Sequence, residues 1–247
     1  MDVIKIGLCG STGRMGIATE NLLQMKTERF ILQEKLDSSY TEAEMIKFCK
    51  NSDVIIDFSN PHILKNLTKI AASYKTRIIV GTTGLKEKHF KYLEALSTRV
   101  AVLYAANTSL GANLAAILAA KSAKLLQEYD IEIIEAHHKH KKDAPSGTAL
   151  MIGRKIADEI NVNFENHAVF DRTGKGVRHQ GEIGFSSIRG GGIHGENEVI
   201  FAGENEIISV GCRALSRAAF ADGALFAAQW ISDRKPGLYS MQDALQL

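Results

Sequence analysis

The chain has 247 residues, of which 45% are hydrophobic and 23% charged, and a formal net charge of +2. These are values of an ordinary globular protein, long enough for one large domain or two modest ones. The near-neutral balance excludes a chain that grips nucleic acid or an anionic membrane through its overall charge. Cys9, Cys49 and Cys212 stand far apart with no C-x-x-C, which points to reduced thiols rather than a disulfide frame or a zinc knuckle. No apolar run approaches the roughly 18 residues of a membrane span. Met1–Gly7 leads directly into a strand, so a leader peptide is not expected and the expected setting is cytoplasmic.

The first hundred residues alternate β-branched runs with helical periodicity. Strands are expected at Val3–Cys9, Phe30–Asp37, Val54–Phe58, Arg77–Val80 and Val100–Ala105, with helices near 14–26, 41–50, 61–74 and 86–97. That alternation means a parallel sheet with helices on both faces and ligands at the carboxyl ends of its strands. After Asn107 the pattern changes. A helix near 110–127 leads into a strand at Ile131–His137 and a helix at about 147–160, where Ala149, Ile152, Ile156 and Ile160 share one face. Strands at Ala168–Phe170, Glu182–Ile188, Glu198–Ala202 and Glu206–Cys212 follow in succession, which predicts a mixed or antiparallel sheet and a second domain. A last helix spans roughly 215–231.

Two segments carry chemistry. The first strand opens into Gly10-Ser11-Thr12-Gly13-Arg14-Met15-Gly16 ahead of a helix. A turn of that kind brings backbone close to a pyrophosphate at a helix N-terminus. Asp37, at the end of the second strand, is placed for an adenosine ribose. An acid there favours NADH, while Arg14 could reach a 2′-phosphate, so NADH or NADPH remains open. Gly81-Thr82-Thr83-Gly84 follows the fourth strand, where the nicotinamide half of a dinucleotide would lie.

The second segment is Glu135-Ala-His-His-Lys-His-Lys-Lys-Asp-Ala-Pro-Ser-Gly-Thr-Ala149. It sets imidazoles and ammonium groups before a helix that starts at Ser146-Gly147-Thr148. Helix N-termini expose unpaired N–H groups and favour negative charge, and imidazole can deliver a proton near neutral pH. The reading is a site for a carboxylate or phosphate with a proton donor beside it. Strand alternation sets His137 on the face of Glu135 and Ile133 and His138 on the other, so the two differ in role: one donates the proton, the other orients or binds substrate. Lys141 lies past the strand end, able to swing toward a ligand, while Lys139, His140 and Lys142 read as solvated. No metal is expected, because adjacent strand histidines diverge and three ammonium groups repel a cation.

Glu135–Ala149 closely resembles the signature of the 4-hydroxy-tetrahydrodipicolinate reductase family, also called dihydrodipicolinate reductases, of lysine and diaminopimelate biosynthesis. Gly10–Gly16, Gly81–Gly84, Ala106-Asn107, Ser109, Gly111, Asn113, Ser216-Arg217 and Gly237–Met241 also fit, so the likeness covers nearly the whole chain. It implies an α/β fold: an N-terminal Rossmann-like doubly wound parallel sheet, residues 1–107 with 218–247, plus a smaller α+β substrate-binding and oligomerisation domain with a mixed sheet, residues 108–217. It implies His137 as proton donor, with Lys141 polarising the substrate, and His138, Ser146, Gly147, Thr148 and Arg217 holding the carboxylates of a small dicarboxylate. Gly10, Gly13, Arg14, Met15, Asp37, Gly81, Thr82, Thr83, Ala105, Ala106, Asn107 and Thr108 would hold NADH or NADPH, and the assembly would be a homotetramer. Many members carry an aromatic where this chain has Thr108. The competing reading is a nucleotide-sensing regulator that keeps the glycine loop and turns nothing over.

Overall fold

A computed structural model describes residues 3–37 and 39–246; Met1, Asp2, Ser38 and Leu247, which the strand start and the turn after Asp37 touch, lie outside the described residues. The chain divides into two compact units, Met1–Leu110 with Arg217–Leu247, and Gly111–Ser216.

In the first unit, strands β1 (Ile4–Cys9), β2 (Phe30–Leu36), β3 (Val54–Asp57), β4 (Arg77–Val80) and β5 (Ala101–Tyr104) alternate with helices α1 (Arg14–Met25), α2 (Glu42–Asn51), α3 (Leu64–Tyr74) and α4 (Glu87–Ser97). The sheet order is β11-β5-β4-β3-β1-β2, where β11 is Gly237–Tyr239, and every pairing is parallel. Because strand side chains alternate, the sheet builds a core on each face. Ile6, Leu8, Ile56, Ile79 and Leu103 pack with Leu23 of α1 and with Ala224, Leu225, Ala228 and Ile231 of the last long helix. Cys9, Ile55, Ile78 and Val80 pack on the other face with Phe48, Leu67 and Leu93 from α2, α3 and α4. The strand order reverses between β1 and β3, the place where doubly wound sheets open a ligand crevice at the carboxyl ends.

The second unit begins with α5 (Leu110–Leu125) and continues through β6 (Asp130–His137), α6 (Gly147–Glu159), the short α7 (Phe164–His167), β7 (Ala168–Val169), β8 (Ile183–Arg189), β9 (Glu196–Ala202) and β10 (Ile207–Arg213). Its sheet runs β10-β9-β6-β8-β7; β6 pairs parallel with β8 and antiparallel with β9, so the sheet is mixed. Ala116, Ala119 and Ala123 of α5 and Ile152 and Ile156 of α6 cover one face, over Ile131, Ile133, Ile183, Phe185, Val199 and Phe201. On the other face Ile188 and Ile207 are exposed.

The last long helix, α8, covers Ala218–Ile231 rather than starting at 215, and Leu215 lies outside it in solvent. The unit boundaries fall at Leu110/Gly111 and Ser216/Arg217. Thr108 and Arg217, expected in the second domain, thus belong to the first: the Thr108 hydroxyl donates to Phe220 O at 2.7 Å, and a Cβ on Gly223 would stand 1.7 Å from Thr108 O. The elements not anticipated are short: α7, β11 and α9 (Met241–Leu245).

Candidate active site

β6 is the middle strand of its sheet, and the side chains Ile131, Ile133, Glu135 and His137 form one row on its helix-covered face. Glu135 puts a carboxylate where the pattern calls for an apolar residue, and only 1% of it is exposed. A buried charge is costly unless paired and hydrogen-bonded. Arg189, the residue ending β8, supplies the pairing: its guanidinium donates to Glu135 Oε1 at 2.6 Å and Oε2 at 2.8 Å. Ser146 N–H donates to Oε1 at 3.1 Å, and His137 Nδ1 lies 2.6 Å from Oε2. Burial alone would push the Glu135 carboxyl up; Arg189, Ser187 and His137 outweigh it and hold the group below the usual carboxylate range. His137 moves down because burial opposes its charge, aided by Lys141 and Arg189 and resisted by Glu135.

Past the strand, the loop is tied at both ends. Gly190 N–H donates to His137 O at 3.0 Å, and Arg189 donates to Asp143 O at 2.6 Å. Lys141 Nζ lies 2.9 Å from Asp143 Oδ2. The Ala144–Pro145 peptide is cis and precedes Ser146, the N-cap of α6, whose Oγ accepts from Ala149 N–H at 3.2 Å. No acidic residue occupies the first turn of α6, so its amide end is not neutralised from within. Gly147 is exposed and a Cβ there would meet nothing within 4 Å. His137, His138, Lys141 and Thr148 are half-buried, whereas Lys139, His140 and Lys142 are exposed. The structure therefore brings His137, His138, Lys141, Ser146, Gly147 and Thr148 together in one loop and helix start. Arg217 stands in the first unit as the N-cap residue of α8.

The first unit holds the nucleotide-loop residues at the carboxyl ends of β1 and β3. Gly10 has φ +76°, and a Cβ there would lie 2.6 Å from Phe58 O. On Gly16 a Cβ would lie 2.2 Å from Gly10 O. The turn therefore packs against the start of α1 with no room for side chains, and Gly13, the N-cap, makes no side-chain cap bond. This bare, glycine-lined helix start fits the pyrophosphate of a dinucleotide. Arg14 is exposed and Met15 half-buried beside it. Asp37 follows β2, and its Oδ1 accepts from Ser39 N–H at 3.0 Å and Ser39 Oγ at 3.1 Å.

At the end of β3 the fully buried Asp57 accepts from Ser59 N–H and Ser59 Oγ–H, while Thr82 Oγ1 donates to its Oδ2 at 3.0 Å. Burial pushes the Asp57 carboxyl up, partly offset by these bonds. Thr82 thus turns its hydroxyl inward, leaving Thr83 and Gly84 exposed. Ala105 is buried, Ala106 exposed and Asn107 half-buried, with Asn107 Oδ1 accepting from Ser109 N–H at 2.8 Å. Neither buried thiol is poised as a nucleophile: burial, with Asp57 beside it, pushes Cys9 far up, and burial pushes Cys49 up to about 12.

Sequence reasoning puts Glu135 on the face of His137 without giving it a role, and does not single out Arg189 or Asp57. The signal for Glu135 was present, a charged residue in phase with the buried row of a central strand. Arg189 had none, because only the parallel pairing of His137 with Arg189 brings them together.

A doubly wound parallel sheet with a glycine turn at its switch point, joined to a second unit bearing a cationic loop, fits the class of nucleotide-dependent oxidoreductases. Within that class the chain belongs to the dihydrodipicolinate reductase family. Residues 4–108 match the family's N-terminal description, "Dihydrodipicolinate reductase, N-terminus", and residues 111–245 match "Dihydrodipicolinate reductase, C-terminus". The chain is similar to the 4-hydroxy-tetrahydrodipicolinate reductase of Rickettsia rickettsii, with 44% identity over 99% of this chain and 100% of the relative. The Rickettsia akari enzyme of the same name is 46% identical over 98% and 96%, and that of Zymomonas mobilis 44% over 99% and 98%. Among solved structures, a dipicolinate-bound dihydrodipicolinate reductase from Paenisporosarcina covers 98% of this chain and 99% of its own, with a TM-score of 0.77 and 22% identity. A DAP dehydrogenase of C. glutamicum has a TM-score of 0.57 over 98% and 93% at 13% identity, a likeness of fold.

Proposed function

We propose that this chain reduces 4-hydroxy-tetrahydrodipicolinate (dihydrodipicolinate) to tetrahydrodipicolinate at the expense of NADH or NADPH, in lysine and diaminopimelate biosynthesis. The observation that carries the reading is the cationic loop at the start of α6, in a chain 44% identical over full length to relatives bearing that activity. The reaction needs a hydride on one ring carbon and a proton on its neighbour, with water lost from the hydroxylated substrate. The bound nicotinamide supplies the hydride. His137 gives the proton from Nε2, since Nδ1 faces Glu135. Lys141 leaves Asp143 to polarise the substrate and stabilise negative charge as it develops. His138, Ser146, Gly147 and Thr148 take the two carboxylates, with the α6 amides as donors and Arg217 assisting.

Gly10, Gly13, Arg14 and Met15 hold the pyrophosphate, Asp37 the ribose, and Gly81, Thr82, Thr83 and Ala105–Thr108 the nicotinamide half. Since the Thr82 and Thr108 hydroxyls are bonded within the protein, these two act through their backbone. The first unit, residues 1–110 with 217–247, acts as the dinucleotide domain and the second, 111–216, as the substrate and assembly domain. The apolar side chains on the helix-free face of the second sheet, Ile188 and Ile207, favour burial against other copies, which supports a homotetramer. No helix among the described residues is long and apolar enough to cross a membrane, and a cytoplasmic location accords with the reduced thiols. Calorimetric titration tests the site: with NADH present, the planar dianion dipicolinate should bind the wild type, and Lys141→Ala and Thr148→Ala should weaken it. Unchanged affinity in both variants would refute the assigned site.

A further inference from the structure

We infer that Glu135 is a positioning residue for proton transfer: its carboxylate, clamped by Arg189, holds the His137 ring with hydrogen on Nδ1 and directs Nε2 to the substrate. The role of Nε2 rests on the reaction proposed above; the state of the ring does not.

An ionised carboxylate can only accept hydrogen bonds. Glu135 accepts from both terminal nitrogens of Arg189 and from the Ser146 amide, so three donors already hold it in the charged form. A ring nitrogen 2.6 Å from such an oxygen carries the proton, which fixes the neutral tautomer as Nδ1–H. Nε2 is then the atom that gains and loses a proton. Gly195 lies close to that atom and puts no side chain against it: a Cβ there would stand 3.2 Å from His137 Nε2.

The other groups around the ring push it toward neutrality. Arg189 and Lys141 are cationic, and burial acts in the same direction. Lys141 is partly offset by Asp143. From β9, Asn197 pairs with Glu135 and is neutral, while Glu196 pairs with Ala136 and is engaged by Arg213 at 3.0 Å. On β8, Ser187 bonds Glu135. Glu135 is therefore the acid that keeps His137 chargeable. In the cycle the Nε2–H bond breaks as the carbon–hydrogen bond forms, the ring returns to neutral Nδ1–H, and solvent restores the Nε2 proton. The carboxylate keeps its charge throughout.

The test is histidine ring 15N NMR together with steady-state kinetics on full-length protein. Ligand-free wild type, above the titration of His137, should show the Nδ1–H tautomer. In Glu135→Gln the amide can donate to Nδ1, so the tautomer should invert and the ring should titrate at lower pH. In that variant kcat should fall about a hundredfold with KM changed less than about threefold, and the pH limb assigned to the acid should move down. Glu135→Asp keeps the charge and should retain the wild-type tautomer with intermediate kcat. If Glu135→Gln does not fold, the wild-type spectrum and Glu135→Asp decide. An Nε2–H tautomer in the wild type, or a Glu135→Gln enzyme with unchanged kcat and pH limb, overturns the inference. Wild-type turnover is a separate readout, whose absence refutes the assigned reaction and leaves the ring state to the spectrum.

Discussion

Ser146 and Glu135 meet across 11 residues of chain, the Ser146 amide donating to Oε1 at 3.1 Å, while the other oxygen of the same carboxylate faces His137. The start of α6, expected to hold the anion, and the ring expected to give the proton are thus fixed to one buried group. Their chemical roles still separate by mutation. His137→Ala should lower kcat by about 10²–10⁴-fold with little change in KM, whereas Thr148→Ala should mainly raise KM. Equal effects on both parameters in His137→Ala would contradict the assignment.

Ser146 has a second, structural part to play. Its hydroxyl caps α6 by accepting from Ala149 N–H. Ser146→Ala removes the cap and keeps the backbone bond to Glu135, so the expected cost is about 1 kcal/mol of stability. Thermal unfolding measures it, and an unchanged midpoint would show that the cap contributes nothing.

Gly195 has φ +154° and faces His137 Nε2. Gly195→Ala combines an unfavourable backbone conformation with a methyl group against the nitrogen that gains and loses the proton. Turnover should fall by at least about tenfold while nucleotide affinity, measured by NADH fluorescence titration, stays at the wild-type value.

The nucleotide loop makes the converse case. A methyl at Gly16 would strike Gly10 O at 2.2 Å, so Gly16→Ala should displace the turn and abolish tight NADH binding. Dipicolinate affinity without nucleotide, read by calorimetry, should be unaffected.

The Glu135 carboxyl sits below its ordinary value of 4.5 because Arg189 and its other donors outweigh burial. Its contribution to stability is therefore complete above about pH 4.5 and is lost as pH falls through the folded-state value. Asp57 runs the other way: burial raises it above 3.8, so its contribution is complete below that pH and lost as pH rises through the folded value. Denaturant unfolding from pH 3 to 6 should show a shallower acid-side slope in Glu135→Gln than in wild type, the remainder coming from other carboxylates held below their usual range, such as Asp143 and Glu182.

How much of this was legible follows from which signals are local. Strand–helix alternation marks the first sheet because each element buries its own apolar stripe, and the strands it predicts agree with β1 to β5 to within one residue at each end. Gly10–Gly16 and His137–Thr148 are contiguous in the chain, so periodicity and capping chemistry reveal them. Arg189 is 54 residues from Glu135, and nothing local marks the pair; it exists only through the parallel register of β6 and β8. Asp57 reads as the end of a strand until Thr82, 25 residues on, closes over it. The apolar pattern predicts α8 from 215, whereas the helix starts at Ala218 and the Leu215 side chain is 83% exposed.

The central claim is tested most directly by following reduced-nucleotide absorbance when freshly prepared 4-hydroxy-tetrahydrodipicolinate is added to the purified protein, with NADH and NADPH in separate assays. Substrate-dependent loss of absorbance with at least one nucleotide, nearly abolished in His137→Ala, is the expected result. Tight nucleotide binding with no absorbance loss from either would contradict it and favour a nucleotide sensor instead.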